Sequence, residues 1–454
     1  MPTLLGVLRT RAELRARVHW SRDRLLAHQA RALAALRAFA TERSPLYREL
    51  HRGLAGAPLE ALPIVTKADL MERFDDVVTD RSIRLADVEA YLAGATANDR
   101  FQGRYRVSVT GGTTGRRGVF LADPAEWRTI LASYSRAYDW AGVSAGITRR
   151  LRMAVVSSTS PVHQSSIVGA SVASRLLPTL RLDARTPLPE LVAALNAFRP
   201  DALVGYASIL RLLAEEHSAG RLGIAPVGIV SASEVLTADT RERIRRAFGV
   251  APTNVYVATE AAGIASECRD GHLHRYEDLV IAEIVDGDGR PAPRGAFGAR
   301  LLVTVLYSRT QPLIRYELSD RVQRLDGLAP DLPFALLGEI DGRSEDVLVL
   351  DGVSVHPNVF HAALEDLPVV GWQVIERSGA LRVLLVRPTG MLPDVGARIT
   401  AELARVGAPG VPVTIETVDE IPRTAVGKAP LVRREAETTG SRAGPEGRQP
   451  ANIG

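Results

Sequence analysis

Cysteine is almost missing from this chain: of 454 residues, only Cys268 is one. No internal disulfide can form, and a zinc site built mainly of cysteines is excluded. No apolar run is long enough to span a bilayer, and the opening Met1-Pro2-Thr3-Leu4-Leu5-Gly6 has no basic stretch followed by a long apolar one. A strong charge of one sign is also lacking, since 56 Lys and Arg face 52 Asp and Glu for a balance of +4. That excess does not by itself imply nucleic acid, although with a pI of about 9.4 it suits a surface that meets polyphosphate. The arginine-rich stretch from about residue 9 to 40 carries Arg11, Arg15, Arg17, Arg22 and Arg24. It lacks the aromatic interleaving of an RNA arm and reads as a solvated helix face. A Ser-His-Asp hydrolase is unsupported, because no Gly-x-Ser-x-Gly elbow occurs. The expected setting is the cytoplasm, with no membrane and no nucleic-acid partner.

Hydrophobic residues make up 46% and charged residues 24%, so a sizeable core can form, in one large domain or two to three smaller ones. From about residue 150 to 305, short β-branched apolar runs at 153–156, 202–204, 227–230 and 254–257 alternate with helical patterns at 188–198, 208–217 and 238–248. That alternation predicts an α/β domain with a largely parallel sheet. Runs 279–285 and 300–306 flank the turn-rich Asp286-Gly287-Asp288-Gly289-Arg290 and predict an antiparallel pair. A boundary falls near 338–343. Beyond it, strand runs at 347–350, 383–386 and 413–416 and a helix at 358–365 predict a compact α+β unit. The expected fold class is therefore α/β: a large N-terminal domain over 1–341 with mostly parallel sheets plus a β-subdomain, then a small C-terminal α+β domain over 342–434 joined by a hinge. Residues 435–454 have too few apolar side chains to bury a core and read as a disordered tail.

Four short signatures stand in a fixed order. Thr110-Gly111-Gly112-Thr113-Thr114-Gly115 follows an alternating run, and glycines there let backbone N–H groups approach phosphate while hydroxyls add donors. It is no Walker loop, and it also suits a plain hairpin turn. Tyr256-Val257-Ala258-Thr259-Glu260 ends a predicted strand, where open α/β sheets bind ligands. Glu260 suits Mg²⁺, which prefers oxygen, but a helix N-cap fits the same residues. Asp320, in Arg315-Tyr316-Glu317-Leu318-Ser319-Asp320, can accept two hydroxyl donors or be a loop acid. Lys428, in Pro422-Arg423-Thr424-Ala425-Val426-Gly427-Lys428, is a compact cation on a long stem; alone it could be a solvated lysine before a frayed tail.

Together these signatures resemble the adenylate-forming superfamily, and the text around them is most similar to its phenylacetate–CoA ligase branch. The resemblance runs from about residue 44 to 434. It implies ATP-dependent activation of an aromatic carboxylic acid as an acyl-adenylate, then transfer to coenzyme A, with Mg²⁺ held by Glu260. It further implies that Thr110, Gly111, Gly112, Thr113, Thr114 and Gly115 meet the triphosphate. Tyr256 would pack on adenine, Thr259 touch the α-phosphate, Asp320 hold the ribose, Arg343 contact the nucleotide, Glu345 act as the hinge and Lys428 serve the adenylation step. Gly111 stands where the family has serine, and the loop is one residue shorter, with Arg116 and Arg117 keeping positive charge. Ser354 stands where the family has a larger polar residue.

By the same resemblance, the acid pocket draws on Trp140, the 157–166 stretch with His163, Tyr206, Ser233 and Glu234. The hydroxyl-rich 157–166 stretch suggests a polar-substituted ring. Trp140 and Tyr206 equally suit core packing. Zinc is not expected: Cys268, His272 and His274 could supply part of a set, but relatives' two further cysteines are missing from Leu332-Pro333-Phe334-Ala335-Leu336-Leu337. Two alternatives stay open, a ligase that passes the acyl group to an amine or other nitrogen nucleophile, and a degenerate nucleotide-binding protein without turnover. A homodimer is compatible with the sequence.

Overall fold

The computed structural model of the protein describes residues 4–110, 117–143, 150–172, 177–330, 332–343, 347–355, 357–365, 367–424 and 427–435. Strands β1 (Arg106–Val109) and β2 (Val119–Ala122) form an antiparallel hairpin around the Gly/Thr-rich signature, whose residues 111–116 lie outside the described set. A seven-stranded sheet is built from β3 (Met153–Ser157), β4 (Thr179–Asp183), β5 (Ala202–Gly205), β6 (Gly228–Ala232), β7 (Pro252–Ala258), β8 (Ala262–Glu267) and β9 (Leu273–Arg275). Their spatial order is β4-β3-β5-β6-β7-β8-β9. The first five in that order run parallel, and β8 and β9 fold back antiparallel.

Helices Gln164–Val172, Leu188–Phe198, Ala207–Ser218 and Ala238–Phe248 connect the parallel strands. A strand covered by helices has no solvent side, which is why β3, β5 and β6 read as continuous apolar runs. Edge strand β4 escaped the apolar-run test because Arg181 sits at its centre and Asp183 at its end. The segment after Thr259-Glu260 is no helix: the chain turns directly into β8, with Ala262 in the left-handed region at φ 55°. The N-cap reading of that signature therefore falls. Strands Val280–Val285, Arg300–Val305 and Tyr316–Leu318 form the separate antiparallel sheet around the Asp286–Arg290 turn, where Asp286 Oδ1 accepts from the Asp288 and Arg290 amides at 2.9 Å each.

Of the N-terminal arginines, Arg15 and Arg24 stay exposed, but Arg11, Arg17 and Arg22 are drawn against the body. Arg11 and Arg15 share the Asp139 carboxylate, Arg17 joins Arg136 on buried Asp278, and Arg22 forks onto Glu277. Arg24 lies over the Trp20 ring, 4.6 Å from its centroid. Helices Leu4–Arg17 and Arg22–Arg43 are thus fastened to the body by charge pairs that absorb the local basic excess.

A second core gathers residues from Leu348 to Val432 around fully buried Trp372 and Phe360. Its sheet has the order Val413–Val418, Ala380–Pro388, Val369–Arg377, Val432–Arg434, covered by helices Pro357–Leu364 and Val395–Arg405. Before it, strand Ile340–Arg343 still pairs with Asp320–Val322 of the larger part. The two cores meet where the Arg211 guanidinium, 7% exposed, donates to the carbonyls of Val370 at 2.6 Å and Val369 at 3.0 Å.

Candidate adenylation site

The carboxyl ends of the parallel strands deliver five loops to one edge of the sheet: Ser158 after β3, Ala184 after β4, Tyr206 after β5, Ser233 and Glu234 after β6, and Thr259 and Glu260 after β7. Tyr256, on β7, donates from its hydroxyl to Asp320 Oδ2 at 2.8 Å. This brings two of the sequence-expected residues together, although they lie 64 positions apart. Asp320 in turn pairs in backbone register with Arg343, whose side chain lies outside the described atoms, as do Gly111, Gly112, Thr113, Thr114, Gly115 and Glu345. Thr110 is described: its hydroxyl accepts from the Gly118 amide at 2.8 Å and closes the base of the loop.

Thr259 and Glu260 border a small cavity of about 30 Å³ with Gln164, Tyr307, Ser308 and Gln311. Gln164 donates to the Thr259 carbonyl at 3.0 Å and accepts from the Tyr134 hydroxyl at 2.8 Å, so it holds the turn that carries Glu260. The opposite wall is braced by Glu126, buried in the capping box of helix Pro124–Trp140, which accepts from the Thr310 amide at 2.7 Å. Burial pushes the Glu126 carboxyl up despite these donors. In this lining, which also includes Phe120, Leu121 and Trp127, the Glu260 carboxylate is the group that suits a hard cation such as Mg²⁺.

The Lys428 loop docks onto the same edge. Within it, the Thr424 amide donates to the Lys428 carbonyl and the Gly427 amide to the Thr424 carbonyl, both at 2.8 Å, and Gly427 adopts φ 80° against Ala184. Arg423 donates to the Gly427 carbonyl at 2.9 Å and to the Ser208 hydroxyl at 3.3 Å. Lys428 Nζ stands 6.0 Å from the centroid of the Tyr206 ring. His163 lies nearby, and burial, with repulsion from Lys428 and Arg117, pulls its imidazole down to about 4.

No family model matches the chain. A phenylacetate–coenzyme A ligase of Thermus thermophilus is 27% identical over 386 residues, spanning 79% of this chain and 80% of the relative. Another, from Escherichia coli K12, is 28% identical over 272 residues, 56% of this chain and 58% of the relative. A crystal structure of a 2-hydroxyisobutyryl-CoA ligase in its postadenylation state, with R3-HIB-AMP, shares the fold at a TM-score of 0.70 and 20% identity, over 93% of this chain and 92% of that one. The chain is thus similar in sequence to phenylacetate–coenzyme A ligases and shares its fold with an acyl-CoA ligase.

Against the expectations of the sequence resemblance, several residues fall elsewhere. Trp140 does not border the cavity beside Glu260. It packs edge-on to Tyr276 at 5.3 Å and His274 at 5.9 Å, and beside Phe334 at 5.6 Å, so core packing describes it. Three hydroxyls of 157–166, those of Ser158, Thr159 and Ser166, are engaged within the protein. Ser166 Oγ donates to the Ser158 carbonyl and accepts from Arg181 Nη2 at 2.9 Å, Ser158 Oγ accepts from the Ser160 amide, and Thr159 Oγ1 bonds Asp183. Tyr206 is buried, and its hydroxyl accepts from the Ser158 amide at 3.0 Å. Glu234 accepts backbone amides with both carboxylate oxygens.

Tyr134 and Arg181 were missing from the sequence-derived candidates, and Gln164 and Arg423 lay inside named stretches without a role of their own. A charged residue at the centre of an apolar strand run was the available signal for Arg181. Ligand atoms of Cys268, His272 and His274 converge, within 4.8 Å of one another, as part of a set. His274 Nδ1 is 2.9 Å from the Phe334 carbonyl. Three donors are one short of a closed structural zinc set among the described residues. No helix among the described residues is long and apolar enough to cross a membrane.

Proposed function

We propose that this protein is an AMP-forming acid–CoA ligase. A carboxylate oxygen attacks the α-phosphorus of ATP, the bond to the β-phosphate oxygen breaks, and pyrophosphate leaves. The acyl-adenylate then gives its acyl group to the thiol of coenzyme A. An aromatic acid is the proposed substrate, in line with the relatives named phenylacetate–coenzyme A ligase.

The observation that carries this reading is Lys428. Of 56 basic residues only two are lysines, Lys67 and Lys428. A chain that uses arginine almost everywhere keeps lysine in a loop docked at the carboxyl edge of its parallel sheet. A compact ammonium there offsets charge developing on carboxylate and α-phosphate oxygens, where a planar guanidinium would present a different geometry. Asp320, held by Tyr256, would accept the ribose hydroxyls. Thr259 and Glu260 would face the phosphates, Glu260 holding Mg²⁺, whose chemistry is to neutralise phosphate charge. Burial keeps His163 neutral at neutral pH, so it adds no cation beside Lys428.

The test is pyrophosphate release across benzoates, phenylacetates, cinnamates and fatty acids, followed by mass analysis with coenzyme A or amines. Aryl-CoA formation is expected. Amide products would replace coenzyme A by a nitrogen acceptor. Nucleotide binding without pyrophosphate release from any acid would leave a binding protein without turnover.

A further inference from the structure

Ser233 adopts a left-handed backbone, φ 69°, immediately before Glu234. That turn sends the Glu234 carboxylate between two segments that belong to different cores. Oε2 accepts from the Ser208 amide at 2.9 Å, in the first turn of helix Ala207–Ser218, where amides have no partner inside the helix. Oε1 accepts from the Ala429 amide at 2.8 Å, directly after Lys428. Arg423 closes the other side of the clamp by reaching both the Ser208 hydroxyl and the Gly427 carbonyl. Each oxygen of one carboxylate thus holds one end of the junction, with the helix terminus reinforcing the negative charge.

We propose that Glu234 is a positioning residue that holds the Lys428 loop against the sheet edge during adenylation and must release Ala429 before the acyl transfer. It does not touch the reacting atoms. The inference rests on the reading that Lys428 serves adenylation. Its consequence is a split between half-reactions: weakening the clamp slows the step that needs Lys428 docked and spares the step that needs it withdrawn.

The two half-reactions are measured separately in Glu234→Ala and Glu234→Gln, as pyrophosphate release and as thioester formation from a supplied acyl-adenylate. Expected is at least a tenfold fall in kcat for the first step in Glu234→Ala, with KM for ATP within about threefold and thioester formation unchanged or faster. Glu234→Gln, with one acceptor oxygen for two amides, should fall between. Equal losses in both half-reactions, or none in either, would overturn the proposal.

A second readout does not depend on activity. Reductive methylation followed by mass spectrometry compares Lys428 with Lys67, the other lysine of the chain. Glu234→Ala should raise the Lys428-to-Lys67 labelling ratio at least threefold, and an unchanged ratio counts against the clamp. If the parent protein releases no pyrophosphate with any acid, the Lys428 reading fails, and the labelling still judges whether Glu234 docks the loop.

Discussion

Tyr256 and Asp320 are joined through a phenol–carboxylate hydrogen bond of 2.8 Å, which ties the end of β7 to the strand that pairs with Arg343. On the proposed ribose role, Asp320→Ala removes a charged acceptor worth about 1.5–3 kcal/mol for each hydroxyl it holds. Tyr256→Phe keeps the ring and removes only the phenolic donor, and water can replace it. We therefore expect Asp320→Ala to weaken ATP binding well beyond tenfold, and Tyr256→Phe by about tenfold or less. Calorimetry with ATP checks the order. Equal affinities in parent and Asp320→Ala would remove this pair from the nucleotide site.

Lys428→Ala should slow pyrophosphate release at least about a hundredfold, the usual cost of losing one preorganised charge contact. The loop is held by Arg423, Thr424 and Gly427 as well, so the unfolding midpoint should hardly move. Lys428→Arg should not restore the rate, since a guanidinium cannot reproduce a point charge. A parental rate in either variant would end the catalytic assignment.

Much of this architecture was legible because buried parallel strands leave an unambiguous mark. The runs at 153–156, 202–204 and 254–257 each fall inside an observed strand. What was hidden depends on contacts between distant segments. Nothing near Glu234 announces that its partners are Ser208 and Ala429, and Arg11, Arg17 and Arg22 look solvated until Asp139, Asp278 and Glu277 are seen opposite them. The long strand Val369–Arg377 was missed because its apolar residues are broken by Gly371 and Gln373, and Gln373 is fully buried with its Nε2 donating to the Pro430 carbonyl at 2.7 Å. Equally hidden was Arg181, which bonds the Ser166 carbonyl and hydroxyl within the polar stretch 157–166.

Gly427 has two reasons to be glycine. Its φ of 80° is costly for any side chain, and an added Cβ would lie 3.0 Å from the Ala184 Cβ. Gly427→Ala should cost about 1–2 kcal/mol in docking, a roughly 5- to 30-fold loss in pyrophosphate release. Adding Ala184→Gly removes the contact and leaves the backbone strain, so it should restore only part of the rate. Full recovery in the double variant would show that crowding alone mattered, and no loss in the single variant would show that the loop need not dock as observed.

Stability should fall on acidification through a window set by two histidines. Burial, aided by Arg37, pulls His51 down to about 4, and burial with Lys428 and Arg117 does the same for His163. In the unfolded chain both titrate near 6.5. Between about 6.5 and about 4 the unfolded chain binds protons that the folded one refuses, so protonation favours unfolding. The stability is fully present above 6.5 and is progressively lost down to about 4. Buried Glu126 and half-buried Glu283, both pushed up by desolvation, act in the opposite sense in their own range, because the folded state then holds the extra proton. The histidine contribution is isolated by comparing urea unfolding of the parent with His51→Leu and His163→Gln at pH 7, 5.5 and 4.5. Each variant should lose stability less steeply than the parent as pH falls, by no more than about 1.4 kcal/mol per pH unit for the one proton removed. Identical slopes in parent and variants, or histidine NMR signals of the folded protein titrating near 6.5 at both positions, would show that burial does not hold these imidazoles neutral.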